Sequence, residues 1–139
     1  MSASKITTGY KALLAEAEKR IQSVEPAEVM AQADDPSVLI VDLRDIREIE
    51  REGRIPGSFH APRGMLEFWI DPDSPYFKPV VGEERKFIFH CASGWRSILA
   101  TDIATRMGLS PAYNLAGGFG AWKAAGGPIE TVTPKEKKS

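Results

Sequence analysis

Apolar residues follow two periods along this chain, and their alternation predicts the architecture. "VLIVDL", residues 38–43, and "FIF", residues 87–89, are continuous apolar runs of strand length, rich in β-branched or aromatic side chains. Such runs predict strands buried on both faces. Elsewhere the period lengthens. Leu13, Leu14, Ala17, Ile21 and Val24 recur at roughly helical spacing after Thr7 or Thr8, either of which can cap a helix. "EPAEVMAQADD" places Pro26 at a helix start, and "RDIREIEREG" predicts a short surface helix ended by Gly53, with Ile46 and Ile49 on its apolar side. "RIPGSFHAP" suits a short strand or turn leading into "RGMLEFWI", whereas "DPDSPYFKPV", with three prolines, predicts a loop. A longer helix is expected from Trp95 or Arg96 to Met107, stopped by Gly108. "PAYNLAGG" then reads as a strand closing on a glycine turn and "FGAWKAAGG" as a last helix. Helices alternate with strands throughout, so the predicted class is α/β, a mainly parallel sheet covered on both faces.

Length and charge narrow the function classes. A chain of 139 residues with 42% hydrophobic and 27% charged residues fits one soluble domain with one core. The expected division is an N-terminal helical arm over 1–20, a domain over 21–130 and a charged, frayed tail over 131–139. A formal charge of -1 encodes no overall attraction to nucleic acid or anionic membrane. No stretch of about 18 apolar residues and no apolar leader with a small-residue cleavage site is visible. A cytoplasmic location is the default expectation, without nucleic-acid or membrane partners. The amphipathic face through Leu13, Ala17 and Ile21 is expected to meet a second copy of the chain or to cover one edge of the sheet.

The candidate chemistry centres on Cys91, the single cysteine. It has no partner for a disulfide, a CxxC pair or a cysteine-rich zinc site, and the two histidines, His60 and His90, are far apart in sequence. No metal site and no cofactor are predicted. Cys91 follows the strand "FIF" and precedes the helix beginning near Arg96. Ligands gather at that end of a parallel sheet, where amides of the next helix point outward. "CASGWRS" supplies small residues and a glycine, so that several N–H groups can turn toward one point and form an anion-binding nest. The helix dipole and Arg96 add positive potential and favour the thiolate, the reactive form. A lone cysteine is more often a small buried hydrophobe. The order strand, cysteine, small-residue turn, arginine, helix favours the reactive reading.

"HCASGWRS" resembles the active-site loop of rhodanese-like sulfurtransferases, in which a cysteine, four residues and an arginine surround a persulfide-bearing sulfur. "LIVDLRD" resembles the family's Asp-Val-Arg strand end, "GRIPGSFHAP" its Gly-His-Ile-Pro-Gly-Ala motif, and "YNLAGGFGAW" its L-x-G-G-x-x-x-W close. These ordered motifs span roughly residues 20–128. Two positions depart from the pattern. Arg54 stands where the family usually has histidine, and the spacer from Arg44 to Gly53 is one residue longer than common.

The resemblance implies a five-stranded parallel sheet flanked by helices and a two-step sulfur transfer through Cys91. The donor would be thiosulfate or a persulfide, and the acceptor a thiol, cyanide or a protein. It also implies that the amides of Ala92, Ser93, Gly94, Trp95 and Arg96 hold the outer sulfur, and that Asp42 pairs with Arg96 or the loop backbone. For Asp42 the other reading is a helix N-cap. Arg44 is expected to be structural in the same network, and His90, pointing to the opposite face from Cys91, to be buried rather than a general base. Trp95 would wall the pocket mouth or lie on the surface, and His60 and Arg63 would border the site. Two other function classes remain. A cysteine phosphatase or arsenate reductase uses a related His-Cys-loop-Arg arrangement with five intervening residues instead of the four here. A non-turnover sulfur carrier or binding module would pass sulfur to one protein partner only.

Overall fold

The computed structural model describes residues 5–133, so most of the expected tail lies outside the described residues. In chain order the elements are α1 (Tyr10–Arg20), β1 (Gln22–Val24), α2 (Pro26–Gln32), β2 (Val38–Asp42), α3 (Ile46–Glu52) and β3 (Phe59–His60). They continue with α4 (Leu66–Ile70), β4 (Lys86–His90), α5 (Trp95–Arg106), β5 (Ala112–Leu115) and α6 (Gly118–Ala124). One 3-10 turn, Arg63–Met65, leads into α4, and another, Pro79–Gly82, precedes β4.

The five strands form one sheet in the order β1-β5-β4-β2-β3, and every pairing is parallel. The continuous apolar runs become its centre, since β2 and β4 are neighbours with Leu39 opposite Phe87 and Val41 opposite Phe89. Because side chains alternate across a strand, each run feeds two cores. Leu39, Val41, Phe87 and Phe89 meet Leu66, Ile70, Ala100 and Ala104 on one face. Ile40 and Ile88 meet Val24, Val29, Leu115, Phe119 and Trp122 on the other. Each fully buried aliphatic or Phe side chain contributes about 1.5–3 kcal/mol of transfer free energy, so these central runs carry much of the fold's stability. No helix among the described residues is long and apolar enough to cross a membrane.

The N-terminal segment departs from its periodic reading. Ile21 is already extended, and Gln22–Val24 pairs with Tyr113, Asn114 and Leu115 as an edge strand. Val24, counted above with the helix, instead packs beside Val29 and Phe119. A single apolar residue one turn past a helix end carries no information about which period it obeys. The cap is Gly9, without a side-chain cap bond, rather than Thr7 or Thr8. α1 lies against α5 of its own chain, burying Leu14 and Ala17, and Arg20 forks onto Asp102 at 2.7 and 2.8 Å. The apolar face expected to meet a second copy is therefore divided, with Ala17 covered by the same chain and Leu13 exposed.

Candidate active site

Cys91 stands at the carboxyl edge of the sheet, one residue beyond the Asp42–His90 register pair. There the connections diverge, β2 leading to β3 on one side and β4 to β5 on the other. Such a switch point leaves a crevice that no crossover covers. The residue is 1% exposed. Gly94 turns the loop with φ +118°, a conformation that side chains disfavour, and its N–H donates to Cys91 Sγ at 3.2 Å. α5 begins at the next residue, directing the positive end of a 12-residue helix at the sulfur.

Behind the sulfur lie two polar residues that carried no role in the sequence reading. Ser97 Oγ is 3.6 Å from Cys91 Sγ, 2.6 Å from Asn114 Oδ1 and 3.1 Å from the Gly94 carbonyl. Asn114, on β5, donates through Nδ2 to Ser23 Oγ at 3.0 Å. The available signal was a polar residue set between Tyr113 and Leu115 in a strand otherwise suited to burial.

Arg96 is held by a different carboxylate from the one expected. Its Nη1 and Nη2 donate to Glu48 at 2.7 and 3.0 Å. Glu48 belongs to α3 and also closes a capping box, accepting from the Asp45 N–H at 3.0 Å while Asp45 accepts from Arg47. The box fixes the Glu48 side chain before Arg96 meets it. The Arg96 fork holds the Glu48 carboxyl down at about 2, against the cost of burial and with further help from the Asp45 amide. In return the Arg96 guanidinium is raised, first by Glu48, with Cys91 adding a smaller effect.

Asp42 bonds to neither Arg96 nor the backbone of the loop, and it does not cap a helix, since the N-cap of α3 is Asp45. The Asp42 carboxylate is occupied by Arg44, through Nε at 3.0 Å, Nη2 at 2.7 Å and the backbone N–H at 3.0 Å. Both side chains are buried. Burial disfavours the Asp42 charge, but the Arg44 bonds, with His90 adding to them, outweigh it and keep the carboxyl below its ordinary range. Arg44 also donates to the Gly53 carbonyl at 2.8 Å and stacks 4.0 Å over the Phe119 ring. His90 is buried beside them, its Nε2 3.6 Å from Asp42 and its ring stacked on Phe119. Burial pushes its basicity down, and Arg44 adds to that while Asp42 opposes it.

This cluster reaches the loop through α6. The Phe119 N–H donates to the Cys91 carbonyl at 2.7 Å and the Gly120 N–H to the Ala92 carbonyl at 3.1 Å. Gly118 sits so close that a Cβ there would lie 2.5 Å from the Cys91 carbonyl oxygen. The glycine pair of "YNLAGG" thus marks where the last helix presses on the loop.

Of the remaining candidates, Ala92 is half-buried and Ser93 exposed at the loop tip. Trp95 is 57% exposed and packs on Tyr10 of α1, ring centroids 5.0 Å apart, so it lies on the surface beside the loop. His60 Nε2 is bound to the Arg44 carbonyl at 2.7 Å, and Arg63 pairs with Glu67 at 2.8 Å. Among the described residues no three His, Cys, Asp or Glu side chains gather as a metal site.

Residues 25–125 match the family model for the Rhodanese-like domain. Over 97 residues the chain is 32% identical to a protein named Sulfurtransferase from Allochromatium vinosum, covering 70% of this chain and 82% of that one. It is 29% identical over 90 residues to Thiosulfate sulfurtransferase/rhodanese-like domain-containing protein 3 of Mus musculus, covering 61% of this chain. The match takes in 57% of the mouse protein, so the chain spans little more than half the length of that relative. Among solved structures, one from Rhodopseudomonas palustris, described as a protein of unknown function and possible tyrosine phosphatase, is 54% identical with a TM-score of 0.91. That superposition covers 94% of this chain and 100% of the other.

Proposed function

The chain belongs to the Rhodanese-like domain family, and from that premise we propose that it is a sulfurtransferase carrying sulfane sulfur on Cys91. The observation that supports this most is the sulfur itself, held by the Gly94 N–H at 3.2 Å where α5 begins, with Arg96 in the same loop. In the first step the Cys91 thiolate attacks the outer sulfur of thiosulfate or of a persulfide. A new S–S bond forms, the donor's S–S bond breaks, and its electron pair leaves with sulfite or a thiolate. In the second step cyanide or a thiolate attacks the outer sulfur of the Cys91 persulfide and the Cys91 thiolate departs. Splitting the transfer into two displacements is covalent catalysis. The amides of Ala92 to Arg96 supply preorganised donors for the anionic outer sulfur. Asp42 and Arg44 act further back, through Phe119 and its bond to the Cys91 carbonyl. The cytoplasm is the proposed compartment.

A phosphatase reading draws on the description of the Rhodopseudomonas palustris protein and on the His-Cys-loop-Arg order. Four residues between Cys91 and Arg96 make a tighter ring than the five of cysteine phosphatases, better suited to one sulfur atom than to a phosphoryl group. Intact mass after brief thiosulfate treatment separates the readings. One added sulfur on the native chain, absent from Cys91→Ala and released by cyanide as thiocyanate, is the expected result. No added sulfur from thiosulfate or polysulfide, together with aryl phosphate turnover lost in Cys91→Ser, would replace it with phosphatase chemistry. Rapid loading with negligible transfer to small acceptors would assign a carrier that serves a protein partner.

A further inference from the structure

α1 and α5 run side by side in the same direction. Tyr10, the first residue of α1, packs on Trp95, the first residue of α5, and Arg20 at the end of α1 reaches Asp102, about two turns along α5. Both helices therefore begin at the edge of the sheet where Cys91 stands. Side chains on a helix tilt toward its N-terminus, so the two rings lean toward that edge. Packing on each other, with centroids 5.0 Å apart, still leaves Tyr10 51% and Trp95 57% exposed. Leu13, one turn along α1 on the face of Tyr10, is 49% exposed. Apolar surface gathered in this way marks a place of contact.

Size and place identify the occupant. Half of two aromatic side chains is on the order of 200 Å², far short of the about 800 Å² that each side of a stable protein interface covers. A small body fits the rings, and a second protein does not. Trp95 belongs to the loop around Cys91, so a molecule that presents sulfur to Cys91 has the rings beside it. We infer that Tyr10 and Trp95 form an aromatic rim to the Cys91 site and receive the apolar or aromatic body of an organic sulfur donor, a thiosulfonate or an organic persulfide. This rests on the reading of Cys91 as the reacting sulfur and names the class of donor it takes. α1 lies outside residues 25–125, the span that matches the family model. The rim thus adds a donor preference that the shared domain does not contain.

Thiosulfate and benzenethiosulfonate hand over the same outer sulfur and differ by a phenyl group in place of one oxygen. With either donor the Cys91 thiolate takes that sulfur, the donor's S–S bond breaks and its electron pair leaves on sulfite or benzenesulfinate; cyanide then carries the sulfur off as thiocyanate. The quantity to read is the ratio of the two kcat/KM values, benzenethiosulfonate over thiosulfate. Tyr10→Ala is expected to lower it about fivefold, the scale of one aromatic contact, mainly through KM for benzenethiosulfonate. Trp95→Ala should lower it at least as far, and Tyr10→Phe, which keeps the ring, should restore it. Alanine favours a helix more than tyrosine does, so α1 survives the change. A disturbed loop would slow both donors alike and leave the ratio in place, which is the result that would overturn the proposal. Binding of benzenesulfinate, which carries no transferable sulfur, is read in parallel by saturation transfer from the protein to its ring protons. Should neither donor load Cys91, the function proposed above fails separately and benzenesulfinate decides the rim: affinity about fivefold weaker in Tyr10→Ala supports it, and equal affinity rejects it.

Discussion

Arg96, in the loop around Cys91, is clamped by both oxygens of Glu48, which the capping box of α3 has already fixed in place. A short helix with no contact to the sulfur therefore decides where the loop arginine points. Removing the Glu48 charge in Glu48→Gln is expected to lower sulfur-transfer kcat/KM roughly tenfold, the scale of a lost charge-assisted bond. The pH sign follows from a folded carboxyl at about 2 against an ordinary 4.5. The clamp's stabilisation is complete above 4.5 and is lost as pH falls toward 2. Urea unfolding should show the native chain more stable than Glu48→Gln at pH 6 and the two converging below 4.5; a constant gap would mean that the charge of Glu48 is not what matters.

His90 gives a second acid sensitivity. Its folded-state value lies below the ordinary 6.5, because burial outweighs the nearby Asp42 carboxylate. The unfolded chain thus takes up the proton first as pH falls. Stability from this residue is present above 6.5 and declines below it, by up to ~1.4 kcal/mol per pH unit for one proton. The difference in unfolding free energy between the native chain and His90→Asn, followed from pH 7.5 to 5, is expected to shrink as pH falls. Parallel curves would show that His90 is protonated equally in both states.

What could be read from the sequence divides along physical lines. β2, β4 and α5 declare themselves because long apolar runs and a periodic segment stopped by Gly108 leave one reading each. The place of Cys91 follows directly, since the end of a parallel strand before a helix is defined by chain order alone. β1 was hidden because three edge residues with one apolar side chain carry no period, and the ladder to β5 decides them. The Glu48 clamp was hidden for another reason. Asp42 and Glu48 are both carboxylates near the loop, and Asp42 is occupied by Arg44, which leaves Glu48 to Arg96, a matter of side-chain length and packing. Ser97 and Asn114 meet across two elements, and nothing local to either reveals the other.

The Asp42–Arg44 pair predicts a large stability loss with an asymmetric origin. Arg44 is wholly buried, and Asp42 is the carboxylate that neutralises it. Asp42→Ala leaves that charge with the Gly53 carbonyl and the Phe119 face, and is expected to cost about 3–5 kcal/mol by urea unfolding. Asp42→Asn keeps an acceptor for the Arg44 backbone N–H and should fall between. A cost below about 1 kcal/mol, the range of exposed pairs, would show Arg44 escaping to solvent and Phe119 needing no support from it.

Gly118 provides the sharpest separation between holding the fold and holding the loop. Its φ of +64° makes any side chain strained, and a Cβ would also meet the Cys91 and Ala92 backbone at 2.5 to 2.9 Å. Gly126 has a similar φ of +82° with open space around it. Alanine at either position carries backbone strain of about 1–3 kcal/mol, whereas at Gly118 it must also push α6 off the loop. That displacement disturbs the Phe119 and Gly120 N–H bonds to the Cys91 and Ala92 carbonyls. Gly118→Ala is therefore expected to lose on the order of a hundredfold in thiosulfate-to-cyanide kcat/KM, as ångström-scale misplacement does, while Gly126→Ala keeps most of its activity at comparable stability. Equal activity in the two variants would reduce Gly118 to a turn residue and detach α6 from the chemistry.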